Sequence, residues 1–100
     1  METHPMKLVT IICEALAREA LERLLAEVGA HGFTAFAVEG RGEKGARFGE
    51  MEGFANVQFE VIVPPAVAAS LLDRIEKEFF ARYAIVAYET DVRVLRPQKF

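Results

Sequence analysis

Cysteine is nearly absent from this chain: Cys13 stands alone among 100 residues, beside two histidines and no tryptophan. A single thiol closes no internal disulfide, and one thiol with two scattered histidines lacks the spacing of a metal cluster. A reducing compartment, the cytoplasm, is expected. Long hydrophobic runs are missing too. None approaches the roughly 18 residues of a membrane span, and Met1 to Met6 lacks the apolar stretch of a signal peptide. Positive charge is in deficit, with a formal net charge of −3, which argues against general binding to nucleic acid. No Ser/His/Asp set is evident, and Cys13 closes an apolar strand with no histidine placed beside it by local spacing. A buried, inert thiol is expected, not a nucleophile, and the chain is not expected to be an enzyme.

What is present suffices for one domain spanning 1–100, since 52% of the residues are hydrophobic. Lys7 to Cys13 is a β-branched run preceded by Pro5 in an expected frayed end. From Glu14 the period becomes helical, with Ala17, Leu21, Leu24, Leu25 and Val28 on one face, and Gly29 suits a left-handed stop. Phe33 to Glu39 forms a second strand that is apolar on both faces. Asn56 to Val63 alternates as a third and stops at Pro64; Pro65 fits the first turn of a helix running to about Arg82. Ala84 to Leu95 makes a fourth strand, with a break expected near Thr90 and Asp91. The order βαββαβ specifies an α+β, ferredoxin-like sandwich with helices on one sheet face. Phe59, Ile62, Ile85 and Val86 add apolar surface beyond what two helices cover, so the open face is expected to pack on a copy of the chain.

Between Gly40 and Ala55 no period survives, and five of the seven glycines fall there. Loops of this length in a compact domain are usually functional or disordered. Gly40 and Gly42 allow close backbone approach to a ligand, and Arg41, Lys44 and Arg47 offer three charges for a phosphate; a solvated turn is the plainer alternative. Arg96, just before Pro97, is a further candidate for an anion. Phe33 and Phe59 suggest a stacking platform on the open face, without the basic-aromatic octapeptide of RNA-recognition folds. Phe79, Phe80 and Tyr83 are expected to be core or a helix-end plug, and His31 a polar turn residue.

AEVGAHGFT (Ala26 to Thr34), the set Val38, Gly40 and Gly42, and NVQFEVIVP (Asn56 to Pro64) together resemble the PII signalling family over nearly the whole chain. The resemblance implies a homotrimer with adenine nucleotide in intersubunit clefts and a flexible T-loop at about 40–55. It marks Ile12, Gly32, Phe33, Thr34, Gly40, Gly42, Glu60 and Ile62 as cleft positions, with Thr34 facing the adenine and Arg96 on phosphates. There are departures. The loop is short and lacks a tyrosine, Asn56 replaces a lysine, and ARYAIVAY (Ala81 to Tyr88) stands where a glycine-rich basic B-loop is expected. These features resemble the PII-like branch linked to bicarbonate transporters and carboxysomes, which implies ADP, AMP or cyclic AMP as ligand and Arg41, Lys44 and Arg47 near the phosphates. It further implies bicarbonate as co-ligand and a membrane bicarbonate transporter as partner. The rival readings are a trimeric metal-tolerance or structural protein with ligands at Cys13, His4 or His31, and an acylphosphatase-like enzyme.

Overall fold

A computed structural model describes residues 1–40 and 56–100. Strand β1 (His4–Glu14) leads through a 3-10 turn (Ala15–Ala17) into helix α1 (Arg18–Val28). Strands β2 (Thr34–Val38) and β3 (Asn56–Val63), helix α2 (Pro65–Glu78), strand β4 (Ile85–Val94) and a last 3-10 turn (Pro97–Lys99) follow. The sheet order is β2-β3-β1-β4, with every neighbouring pair antiparallel. The βαββαβ sandwich and its single layer of helices are therefore as expected.

Helix α1 ends as its sequence dictates. Gly29 adopts φ 90°, and the Ala30 amide reaches back to the Leu25 carbonyl at 2.9 Å, the six-residue closure that a left-handed glycine permits. At the start of α2 the Pro64 carbonyl accepts from Val67 and Ala68, each at 3.0 Å, and Pro65 occupies the first turn, where its missing N–H is no loss.

The core lies between the helices and one sheet face. Val9, Ile11 and Cys13 of β1 and Val57, Phe59, Val61 and Val63 of β3 meet Leu21, Leu24 and Leu25 of α1 and Ala68, Leu71 and Ile75 of α2. Burying each large member stabilises the fold by roughly 1.5–3 kcal/mol. The alternate positions form the open face. Phe36, Gln58, Ile12 and Val86 make one rung across four strands, and Thr34, Glu60, Thr10 and Tyr88 the next. Phe36 is 40% exposed, Val86 50% and Tyr88 52%, so large apolar surface stands uncovered on the single chain.

Four expectations need correction. Strand β1 starts at His4, not after a frayed end. The Glu14 amide bonds the Ala84 carbonyl at 3.1 Å, and ladder bonds alternate along an antiparallel pair, so odd-numbered residues of β1 point their amides away from β4. Pro5, opposite Arg93, thus lacks an N–H on the side where β3 has already ended, since Lys7 pairs with Val63. Second, β4 is unbroken at Thr90 and Asp91, which pair with Leu8 and Lys7; the Lys7 ammonium holds Asp91 at 2.6 Å and Glu89 at 3.5 Å. Third, α2 stops at Glu78, because the chain must turn after buried Phe79 to bring Ala84 against Glu14. Fourth, Phe59 and Ile85 pack with the helix-side core, leaving Ile62 and Val86 for the open face.

Candidate functional site

The link from α1 to β2 places Gly32 and Phe33 directly before Thr34, and the register sets Thr34 opposite Glu60. Here a groove of about 240 Å³ is lined by His31, Gly32, Phe33, Thr34, Glu60 and Ile62, with Lys99 and Phe100 arriving from the last turn. Phe33 is fixed by stacking against Phe59, ring centroids 5.1 Å apart at 50°, and the Arg18 guanidinium sits 5.7 Å from the centroid of the same Phe59 ring. Phe59 is fully buried, so these two rings form no stacking platform on the open face.

The groove's chemistry is mixed. Glu60 accepts a bond from the Gln58 amide nitrogen at 3.3 Å, and an ionised carboxylate offers only acceptors. It suits an amino group or a sugar hydroxyl and repels phosphate. Thr34 can donate or accept, while Lys99 and His31 bring donors. A Cβ on Gly32 would meet nothing within 4 Å, and its φ is not left-handed. Among the described residues nothing requires a glycine there, and a Cβ on Gly40 likewise meets none of them within 4 Å.

The other candidate positions lie apart from this groove. Ile12 stands one rung along the open face, between Gln58 and Val86. Gly40 follows the far end of β2, whose Thr34 and Val38 are about 13 Å apart at strand rise. Arg96 is exposed at the base of the last turn, its carbonyl accepting from the Lys99 amide at 3.1 Å. Arg41, Gly42, Lys44 and Arg47 lie outside the described residues. Lys99 and Phe100 were missed by sequence reasoning, because their proximity arises from the return of the chain after β4 and carries no local motif, whereas His31 is the chain neighbour of Gly32 and reads in the sequence only as a polar turn residue.

The remaining chemistry is not convergent. Cys13 is buried and free, and burial pushes its thiol up to about 11. His4 opens the strand that Cys13 nearly closes. Nine steps along the strand separate them by about 30 Å, so they cannot share a metal within one chain. No helix among the described residues is long and apolar enough to cross a membrane.

Comparison with known proteins bears on this groove. Residues 6–99 match the family described as nitrogen regulatory protein P-II. A PII-like signaling protein from Thermus thermophilus is 34% identical, with 99% of this chain and 98% of that chain covered and a TM-score of 0.82. The CPII protein of Thiomonas intermedia K12, bound to ADP and bicarbonate, is 29% identical over 99% of this chain and 97% of that one, with a TM-score of 0.85. CPII bound to ADP, AMP and acetate aligns at 27% identity over 100% and 98% of the two chains, with a TM-score of 0.84. No curated protein matches the chain in sequence.

Proposed function

Because the chain belongs to the nitrogen regulatory protein P-II family, we propose that it is a homotrimeric signalling protein that binds ADP, AMP or cyclic AMP between subunits, with bicarbonate as co-ligand. The observation that carries this reading is the groove that gathers Gly32, Phe33 and Thr34 of one segment with Glu60 and Ile62 of β3. It suits a purine and ribose by shape and hydrogen bonding. The apolar open face supplies the surface on which copies associate, and association turns an open groove into a cleft. CPII, a structural relative, holds ADP and bicarbonate, which supports the same ligand class here.

In this arrangement Thr34 contacts the adenine, Glu60 the ribose or amino group, and Ile12 and Ile62 the apolar wall. Gly32 and Gly40 admit the ligand close to the backbone. The phosphates extend along β2 toward Gly40, where Arg41, Gly42, Lys44 and Arg47 receive them, with Arg96 as a further contact. The T-loop, residues 40–55, is the output: a nucleotide that binds one loop state better than another shifts its population and so controls an inorganic-carbon transporter. Calorimetric titration of the purified protein with ADP, AMP, cyclic AMP, ATP and GTP, each with and without bicarbonate, tests this. Saturable heat with adenylates and not with GTP is expected. No heat from any adenylate, measured on a trimeric sample, overturns it.

A further inference from the structure

The groove that holds Thr34 and Glu60 draws one wall from beyond the sheet. After β4 ends at Val94, the turn Pro97–Lys99 is closed by the Lys99 amide on the Arg96 carbonyl at 3.1 Å and the Phe100 amide on the Pro97 carbonyl at 3.0 Å. Pro97 fixes its own φ at the start of that turn. Lys99 and Phe100 are thereby presented to the groove on a short, braced piece of backbone. Lys7 and Lys77 each hold a carboxylate. The Lys99 ammonium pairs with none among the described residues, although Glu60 lines the same groove. Phe33 has its ring partner in Phe59, whereas the half-buried Phe100 has none among the described residues. One cation and one aromatic face thus stand in the groove without a role in the fold around them.

Resting on the nucleotide reading of this groove, we infer that the last turn reads the base: Phe100 takes the flat face of adenine, and the Lys99 ammonium donates to one of its ring nitrogens. Charge decides which part of the ligand comes here. The Glu60 carboxylate repels phosphate, so this end of the groove admits base and sugar. Adenine offers ring nitrogens as acceptors and an amino group as donor, while an ammonium only donates and a carboxylate only accepts. Lys99 therefore complements a ring nitrogen, and Glu60 the amino group or a sugar hydroxyl; the two roles cannot be exchanged. A base is apolar on its faces, and an aromatic ring with no ring neighbour of its own supplies the surface on which it stacks. Because the turn is closed by its own backbone bonds, little ordering opposes these contacts.

The test is calorimetry on the full chain, comparing wild type, Lys99→Met and Phe100→Ala with ADP, AMP and cyclic AMP. Lys99→Met is expected to weaken all three by a common factor of about tenfold, the worth of a charge-assisted bond. Phe100→Ala is expected to weaken them by about fivefold or more through lost stacking, again irrespective of the phosphates. If Phe100→Ala lowers the melting temperature, Phe100→Leu keeps the volume, lacks the ring and is expected to show the same loss. AMP analogues with each ring nitrogen in turn replaced by carbon give a second readout. One of them is expected to bind wild type about tenfold worse than AMP, yet to bind Lys99→Met no worse than AMP does. A loss in Lys99→Met that grows from AMP to ADP overturns the inference and marks Lys99 as a phosphate contact. Unchanged affinity in Lys99→Met or in the Phe100 variants overturns it too, while the nucleotide reading stands. A wild type that binds none of the three ligands overturns that reading and this inference with it.

Discussion

Glu14 and Ala84 are joined twice: the Ala84 amide donates to the Glu14 carboxylate at 2.8 Å, and the Glu14 amide donates to the Ala84 carbonyl at 3.1 Å. Glu14 is 6% exposed and Ala84 3%, so water cannot replace either bond. The side chain thus supplies the acceptor that the amide just before β4 needs. A buried bond to a charged group is worth roughly 1.5–3 kcal/mol. Glu14→Ala is expected to destabilise the fold by about 2 kcal/mol, measured by urea unfolding, and Glu14→Gln, which keeps an acceptor oxygen, by clearly less. Equal loss in both would show that the carboxylate's charge matters more than its place in the ladder.

Ile12 lies on the open face, in the rung with Phe36 and Val86. If that face joins copies of the chain, Ile12→Asp buries three unpaired carboxylates in a trimer and dissociates it. Light scattering is expected to give about three times the 11.1 kDa chain mass for wild type and a single chain for the variant. A wild type of one chain mass at micromolar concentration contradicts the trimer and the cleft with it.

Arg47 is expected to contribute to ligand binding alone. Arg47→Ala should weaken ADP by roughly 1.5–3 kcal/mol, the worth of a charge-assisted bond, with the melting temperature of the nucleotide-free protein hardly altered. ATP is expected to gain little over ADP, because no glycine-rich basic loop precedes β4 to receive a third phosphate and its desolvation goes uncompensated. An ATP preference of about tenfold, 1.4 kcal/mol, would require another cation at that end of the site.

Cys13 gives a pH dependence of known sign. Its thiol is raised from 9.0 to about 11 in the folded chain, first by burial and then by the neighbouring Glu14 charge. Above pH 9 the unfolded chain releases this proton while the folded one retains it. Stability is full below that point and falls as pH rises toward 11, by roughly 2–3 kcal/mol for this group. Urea titrations of wild type and Cys13→Ala across about pH 8 to 11 are expected to converge by that amount. Parallel curves would mean the folded thiol ionises as easily as the unfolded one.

Element types were legible wherever a period persisted for two turns or five strand residues: the alternation in β3 and the Leu21, Leu24, Leu25 stripe of α1 both reached the core as expected. Boundaries were less so. The end of α2 depends on where Ala84 must sit relative to Glu14, a contact 70 residues away in sequence, and no local signal in Phe79 to Arg82 encodes it. Similarly, Gly32, Phe33 and Thr34 stood out by resemblance, whereas Lys99 and Phe100 join the groove only because the chain after β4 comes back to that segment.

The central pairing of β1 with β3 ends at Lys7 and Val63, with prolines beyond it on both strands: Pro5 on one, Pro64 and Pro65 on the other. Side-chain alternation alone resists a shift by one residue, which would turn the core outward, but tolerates a shift by two. The prolines reject that alternative in both directions. Sliding β3 one way sets Pro65 opposite Lys7, and sliding it the other sets Pro5 opposite Val63; each position demands an amide proton that proline does not have. Imino acids at the two strand ends therefore penalise misaligned pairings of β1 with β3 that the hydrophobic pattern alone would accept, and they hold Thr34, Glu60 and Thr10 level with one another across three strands.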